Sequence, residues 1–249
     1  MPDVILSPHL DDAVLSCWHL LTQAADVAVI NVFAGVPADL DIPGWWDEYT
    51  GASDSAQRVR ERIEEDRRAL ALAGRTAVNL GFLDEQYRPG EQPLAPLTEQ
   101  IERLLDPGVR IYAPAAFAYH ADHLLVRASA LELRAAGFEV SLYADLPHAT
   151  VRGWPVWVSG RNGPASKDLA GALWDRVLAA TDAMAPTVQR LDAPVHAEKL
   201  VAVGMYDTQL QALEELAGRP IGDPDVLGYE VTWPTAPRAR AVHRAGRRR

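Results

Sequence analysis

Short apolar runs alternate with helical patterns through the first half of the chain, and this alternation predicts a mostly parallel sheet covered by helices. Asp3-Val4-Ile5-Leu6 reads as a first strand, residues 27–33 as a second and 78–83 as a third. Residues 111–114 and 140–145 read as two more. Between the first two, residues 11–23 are apolar nearly all round, the pattern of a buried helix. A helix from Ser53 or Asp54 to about Ala73 starts on a capping side chain and stops at Gly74, which adopts the left-handed conformation without a Cβ clash. Residues 96–105 and 120–136 predict two further helices, the second ending at Gly137.

The C-terminal third is less regular. Residues 156–158 (Val-Trp-Val) look extended, 168–184 and 195–216 look helical, and 220–237 look irregular. Residues 36–53 form a long loop rich in Pro, Gly and Asp that also carries Trp45, Trp46 and Tyr49; three aromatics argue for function over disorder. With no internal repeat and no linker, the expectation is one Rossmann-like α/β domain over residues 1–237 and a basic, disordered tail over 238–249.

Charge changes the picture in one respect. The 34 acidic residues outnumber the 24 basic ones for a net charge of -10, so binding to nucleic acid, which needs clustered cations, is excluded. Six arginines and no acid lie in the tail, which leaves the body at -16. Hydrophobic residues make up 48%, enough for a large core. No apolar run reaches the roughly 18 residues of a membrane span, and no signal segment is evident. The single cysteine, Cys17, fits a reducing cytoplasm and, among Val14, Leu15, Trp18 and Leu21, reads as a buried core thiol.

The chemistry concentrates at two strand ends. Ser7-Pro8-His9-Leu10-Asp11-Asp12 joins the first strand to the first helix, and ligands of parallel sheets collect at the carboxyl ends of strands. If the helix starts near Leu10, His9 and Asp12 lie three apart on one face, with Asp11 on its flank. An imidazole and a carboxylate suit a divalent metal such as zinc, and a second, free carboxylate suits a base. Two acids favouring a helix N-terminus electrostatically would give the same pattern. The segment Tyr119-His120-Ala121-Asp122-His123 repeats the arrangement after another strand. Together the two segments supply His9, Asp11, Asp12, His120 and His123 to one site: three ligands for a catalytic metal with an open position, and two groups for acid–base work.

The run Ser-Pro-His-Leu-Asp-Asp-Ala-Val-Leu-Ser, together with His-Ala-Asp-His, resembles the PIG-L (LmbE-like) family of zinc-dependent N-deacetylases. Arg62-x-x-Glu65, Leu80-Gly81-Phe82-Leu83-Asp84, Lys199 and Tyr206-Asp-Thr-Gln209 are similar to weaker family features. Leu10 and Ala13 depart from it, standing where members often have Pro and Glu. The resemblance implies that His9, Asp12 and His123 hold zinc, with iron as an alternative. It further implies that Asp11 is the general base for a water attacking an amide and that His120 polarises or protonates that amide. Asp122 is placed to orient a histidine from behind, or equally to serve as an acid at the helix start. The implied substrate is a small molecule carrying an N-acylated, usually N-acetylated, amino sugar.

Arg62, Asp84, Asp145 and His148 lie at or beside strand ends and are candidates to bind hydroxyls, Arg62 being equally suited to the charged face of its helix beside Glu65 and Asp66; Trp45 with Trp46 offers an apolar wall or, as readily, a hydrophobic plug. His19 and His196 read as structural and His243 belongs to the tail. Other readings are an amidase acting on a thiol conjugate and a non-catalytic metal- or sugar-binding protein. A nucleotide-binding module is disfavoured because no Gly-rich phosphate loop follows the first strand. The sequence allows a homo-oligomer.

Overall fold

The computed structural model describes residues 3–38, 43–117, 119–160 and 169–236. The basic segment 238–249, and His243 within it, lie outside the described residues.

The strands are β1 (Asp3–Ser7), β2 (Val27–Asn31), β3 (Ala77–Asn79), β4 (Arg110–Pro114), β5 (Glu139–Tyr143), β6 (Thr187–Arg190) and β7 (Tyr229–Pro234). They form a seven-stranded sheet in the order β3-β2-β1-β4-β5-β7-β6. From β3 to β5 every pairing is parallel; β7 runs antiparallel to β5, and β6 antiparallel to β7. Val4 through Ser7 are all buried, the continuous run that a central strand needs when helices cover both faces of the sheet.

The helices are α1 (Asp12–Gln23), α2 (Trp45–Tyr49), α3 (Ser55–Leu72), α4 (Leu94–Glu102) and α5 (Ala121–Ala136). After them come α6 (Val156–Ser159), α7 (Leu169–Leu178), α8 (Ala193–Val203), α9 (Leu210–Ala217) and α10 (Pro224–Leu227). Helices α1 and α3 pack against α8, while α4 packs against α5. Right-handed crossovers place these two groups on opposite faces of the sheet. Asp54 caps α3 by accepting the Gln57 N–H at 2.9 Å, and α5 stops at Gly137, whose φ of 107° is open to glycine at little cost. No helix among the described residues is long and apolar enough to cross a membrane.

Several stretches differ from the sequence reading: the strand expected over 78–83 is the short β3, and the helix expected over 168–184 ends at Leu178. The loop at 36–53 contains the short helix α2. Residues 156–158 turn helically, started by Pro155 with its fixed φ and stopped by Gly160 at φ 68°. The helix expected over 195–216 is two helices, because the residues between them are committed elsewhere. Tyr206 donates to Asp66 at 2.9 Å, and Thr208 gives both its N–H and its hydroxyl to Glu65 at 2.8 Å. The irregular stretch at 220–237 contains β7, whose buried Glu230 interrupts the apolar pattern of a strand.

Strand β1 lies between β2 and β4, so successive connections leave it in opposite directions. Such a switch point opens a crevice at the carboxyl ends of the two strands. His9 follows β1 and His120 follows β4, at the two sides of that crevice.

Candidate metal and catalytic site

A serine shapes the loop after β1. Ser7 Oγ donates to the His9 carbonyl at 2.6 Å and accepts the Ala13 N–H at 3.0 Å, which closes the turn. His9 N–H then donates to Asp12 Oδ2 at 2.9 Å, and His9 Nδ1 lies 3.5 Å from the same oxygen. Asp11 occupies the N-cap position of α1 without capping through its side chain, so its carboxylate stays available to the crevice. The helix begins two residues later than the sequence suggested, with His9 in the turn before it.

From the other side, α5 delivers His123. Its Nε2 lies 3.4 Å from Asp12 Oδ2 and has no hydrogen-bond partner among the described residues. Its Nδ1 is 2.9 Å from Asp145 Oδ2. Burial would lower this ring, but Asp12 and Asp145 outweigh it and raise it; once Nε2 gives up its proton, Nδ1–H stays on Asp145 and the Nε2 lone pair faces forward, the form in which imidazole ligates a metal. Two donors each about 2.0 Å from a tetrahedral zinc lie about 3.3 Å apart, close to the 3.4 and 3.5 Å measured from Asp12 to the two histidines. The donor atoms of His9, Asp12 and His123 all fall within 4.8 Å of one another. This donor set fits a divalent metal.

A second group, His9, His120 and Asp122, meets the same distance limit but is chemically unsuited to a cation. Arg88 Nη2 sits 2.6 Å from Asp122 Oδ1, and the Glu85 N–H and His9 Nε2 occupy Oδ2 at 3.0 and 3.1 Å. With Nε2 turned to Asp122, His9 presents Nδ1 towards Asp12.

Burial and neighbouring charges divide the two aspartates. Burial would raise Asp12, but His123 and His9 outweigh it and hold the carboxyl well below the usual range. Asp11 is raised, chiefly by burial and then by Asp12, against the pull of Arg62. Arg62 lies between two acids, 4.0 Å from Asp11 Oδ1 and 3.9 Å from Asp84 Oδ2. Burial, followed by the charges of His9 and His123, lowers His120 to about 3, and burial with His123 lowers His148 to about 4. Both rings are neutral near pH 7. His120 Nδ1 accepts the Asp122 N–H at 3.2 Å, which leaves the proton of the neutral ring on Nε2.

A cavity of about 280 Å³ lies over these groups, lined by His9, Asp11, Asp12, Arg62, Asp84, His120 and His148 on its polar side. Its apolar side is built from Trp45, Trp46, Leu146, Pro147, Leu213 and Leu216. Asp145 departs from the hydroxyl-binding role suggested by its strand-end position. It is fully buried and does not line the cavity; besides His123 it accepts the Phe117 N–H at 3.1 Å. His19 and His196 also stand away from the cavity wall.

Several wall residues gave no sequence signal of their own. Gln209 accepts from Trp46 Nε1 at 2.7 Å, and Gln86 accepts the Trp46 N–H at 3.0 Å. The Gln209 bond and a Tyr49–Glu215 contact hold α2 against the start and body of α9 at the cavity mouth, and Gln86 ties α2 to the turn at 85–87. Only Gln209 was foreshadowed, as the end of the Tyr-Asp-Thr-Gln run. Arg88, the counter-charge of Asp122, lay outside every motif.

The chain belongs to the PIG-L family: the family model described as GlcNAc-PI de-N-acetylase matches residues 4–133. It is 27% identical to the 2'-N-acetylparomamine deacetylase of Niallia circulans over 184 residues, covering 58% of this chain and 66%, just under two thirds, of that protein. The solved structure of the A40926 pseudoaglycone deacetylase is similar with a TM-score of 0.71 and 26% identity, over 96% of this chain and 98% of that one. A deacetylase–teicoplanin complex from teicoplanin biosynthesis is similar with a TM-score of 0.68 and 25% identity, over 94% and 97%.

Proposed function

We propose that this protein is a metal-dependent N-deacetylase that removes an N-acyl group, normally acetyl, from an amino sugar within a larger natural product. One observation carries the reading: the free, buried Nε2 of His123 converges with His9 on Asp12, while Asp11, 4.0 Å from Arg62, lines the cavity beside them. The relatives that act on paromamine, teicoplanin and A40926 derivatives support the substrate class.

His9, Asp12 and His123 would hold the metal. A zinc ion there would supply Lewis acidity, lowering the pKa of a water and polarising the amide carbonyl. Asp11, kept basic by burial, takes the proton of the attacking water and returns it to the amide nitrogen as the C–N bond breaks, releasing the acyl group as a carboxylic acid and the sugar as the free amine. Arg62 keeps that carboxylate turned into the cavity and limits how far its pKa rises. His120 points a neutral Nε2–H at the developing oxyanion, and Asp122 fixes that tautomer through its backbone N–H. Asp84, Arg62 and His148 offer polar contacts to sugar hydroxyls. The Trp45–Trp46 wall covers the apolar body to which the sugar is attached.

Acetate release from N-acetylglucosaminyl glycopeptides and N-acetylated aminoglycosides, with and without chelator, tests the reading. Chelator-sensitive release is the expected result. Metal binding with no acyl release from any amide would identify a binding protein instead.

A further inference from the structure

Helix α1 is not continuous. Cys17 has φ -134° and ψ 28°, values that break the helix one turn after Asp12. The second segment therefore starts at Trp18 with amides that need outside acceptors. Glu230 of β7 provides them: Oε1 accepts the Trp18 N–H at 2.8 Å and Oε2 the His19 N–H at 2.9 Å. A carboxylate at this point also meets the positive end of the segment's dipole. Lys199 of α8, fully buried, donates to Glu230 Oε1 at 2.7 Å and balances its charge.

The break has a counterpart on the cavity side. Ser16, the last residue before Cys17, accepts the Leu146 N–H at 2.9 Å, and Leu146, Pro147 and His148 line the cavity. The first segment is a single turn, too short to hold a direction by its own hydrogen bonds. Its direction is set by Ser7 at one end, and by Ser16 and the seam at Trp18 at the other. Asp12 rides on that turn.

We infer that Glu230, backed by Lys199, is a positioning residue for the metal site, grasping the amides behind the helix break so that the turn carrying Asp12 is aimed at His9 and His123. A carboxylate this deep in an apolar layer is costly unless its partners use it fully, and two amides with one ammonium do so. This inference rests on reading His9, Asp12 and His123 as the metal ligands.

The test measures the zinc dissociation constant by chelator competition, beside the melting temperature of the metal-free protein. Glu230→Asp keeps the charge that Lys199 needs and shortens the reach to both amides. The Glu230→Gln/Lys199→Met pair removes both charges while leaving one acceptor oxygen. A positioning role is expected to weaken zinc binding about tenfold or more in each variant that folds, and to lower kcat more than it raises KM. Unchanged zinc affinity in a folded variant would overturn the inference and leave Glu230 a purely structural group.

Hydrogen exchange of the wild-type protein gives a second readout that needs no variant, because coupling is reciprocal. Zinc must slow exchange at the Trp18 and His19 amides; equal rates with and without zinc would overturn the inference. A wild-type protein that binds no divalent metal would instead overturn the ligand assignment on which it rests.

Discussion

His123 Nδ1 and Asp145 Oδ2 are joined at 2.9 Å with both side chains wholly removed from solvent. Asp145 therefore acts on the site through the ring it holds. Asp145→Asn keeps an acceptor for the Phe117 N–H but loses the charge that anchors Nδ1–H, and it should weaken metal binding about 10- to 100-fold. The discriminating measurement is KM at saturating metal. Asp145 touches no part of the cavity, so KM should stay near the wild-type value, whereas a hydroxyl-binding residue would raise it.

Asp11 and Asp12 are adjacent in sequence and opposite in task. Asp12→Ala should abolish stoichiometric metal binding, as should His9→Ala. Asp11→Asn should leave metal binding intact and lower kcat by about 10² to 10⁴, the range of general-base catalysis. Metal analysis of each purified variant beside its turnover separates the two roles. Loss of metal from Asp11→Asn would contradict the division.

Trp45 is 62% exposed at the cavity mouth, so Trp45→Ala should leave the melting temperature unchanged. If its face covers about 60 Å² of an apolar aglycone, at ~25 cal/mol per Å² the loss is about 1.5 kcal/mol, roughly tenfold in KM. The free N-acetyl sugar, without aglycone, should show no change. Equal KM changes for both substrates would remove Trp45 from aglycone recognition.

Asp66 gives stability a pH dependence apart from catalysis. Burial pushes its carboxyl from 3.8 up to about 7, against the opposing hydrogen bonds from Asn31 and Tyr206. The folded state thus holds this proton more tightly than the unfolded state. The stabilisation is complete below about pH 4 and is lost as pH rises through 7, at up to about 1.4 kcal/mol per pH unit. Melting temperatures of the wild type and Asp66→Asn between pH 4.5 and 8 should diverge, the wild type losing ground as pH rises. A constant gap would show that Asp66 does not titrate in this window.

The parallel half of the sheet was legible because its central strands are compact apolar runs and the long helices α3 and α5 meet glycine stops at Gly74 and Gly137. Strand β7 was not, because Glu230 occupies a core position that apolar periodicity cannot anticipate when the partner, Lys199, is 31 residues away. The gap between α8 and α9 was hidden for a similar reason: Tyr206 and Thr208 serve acids on α3 instead of continuing a helix. Within the site, the two His/Asp segments were visible as motifs. The direction of Asp145 was not, since a strand-end position says nothing about whether a side chain turns to the cavity or to the histidine behind it.

The proposed deacetylation requires the metal that His9, Asp12 and His123 would hold. The most direct measurement is acetate release from an N-acetyl amino-sugar substrate by chelator-stripped protein, before and after titration with zinc. The stripped protein should release no acetate and should recover activity as the first equivalent of zinc binds. Full acetate release from protein shown to be metal-free would mean that His9, Asp12 and His123 hold no metal needed for the reaction.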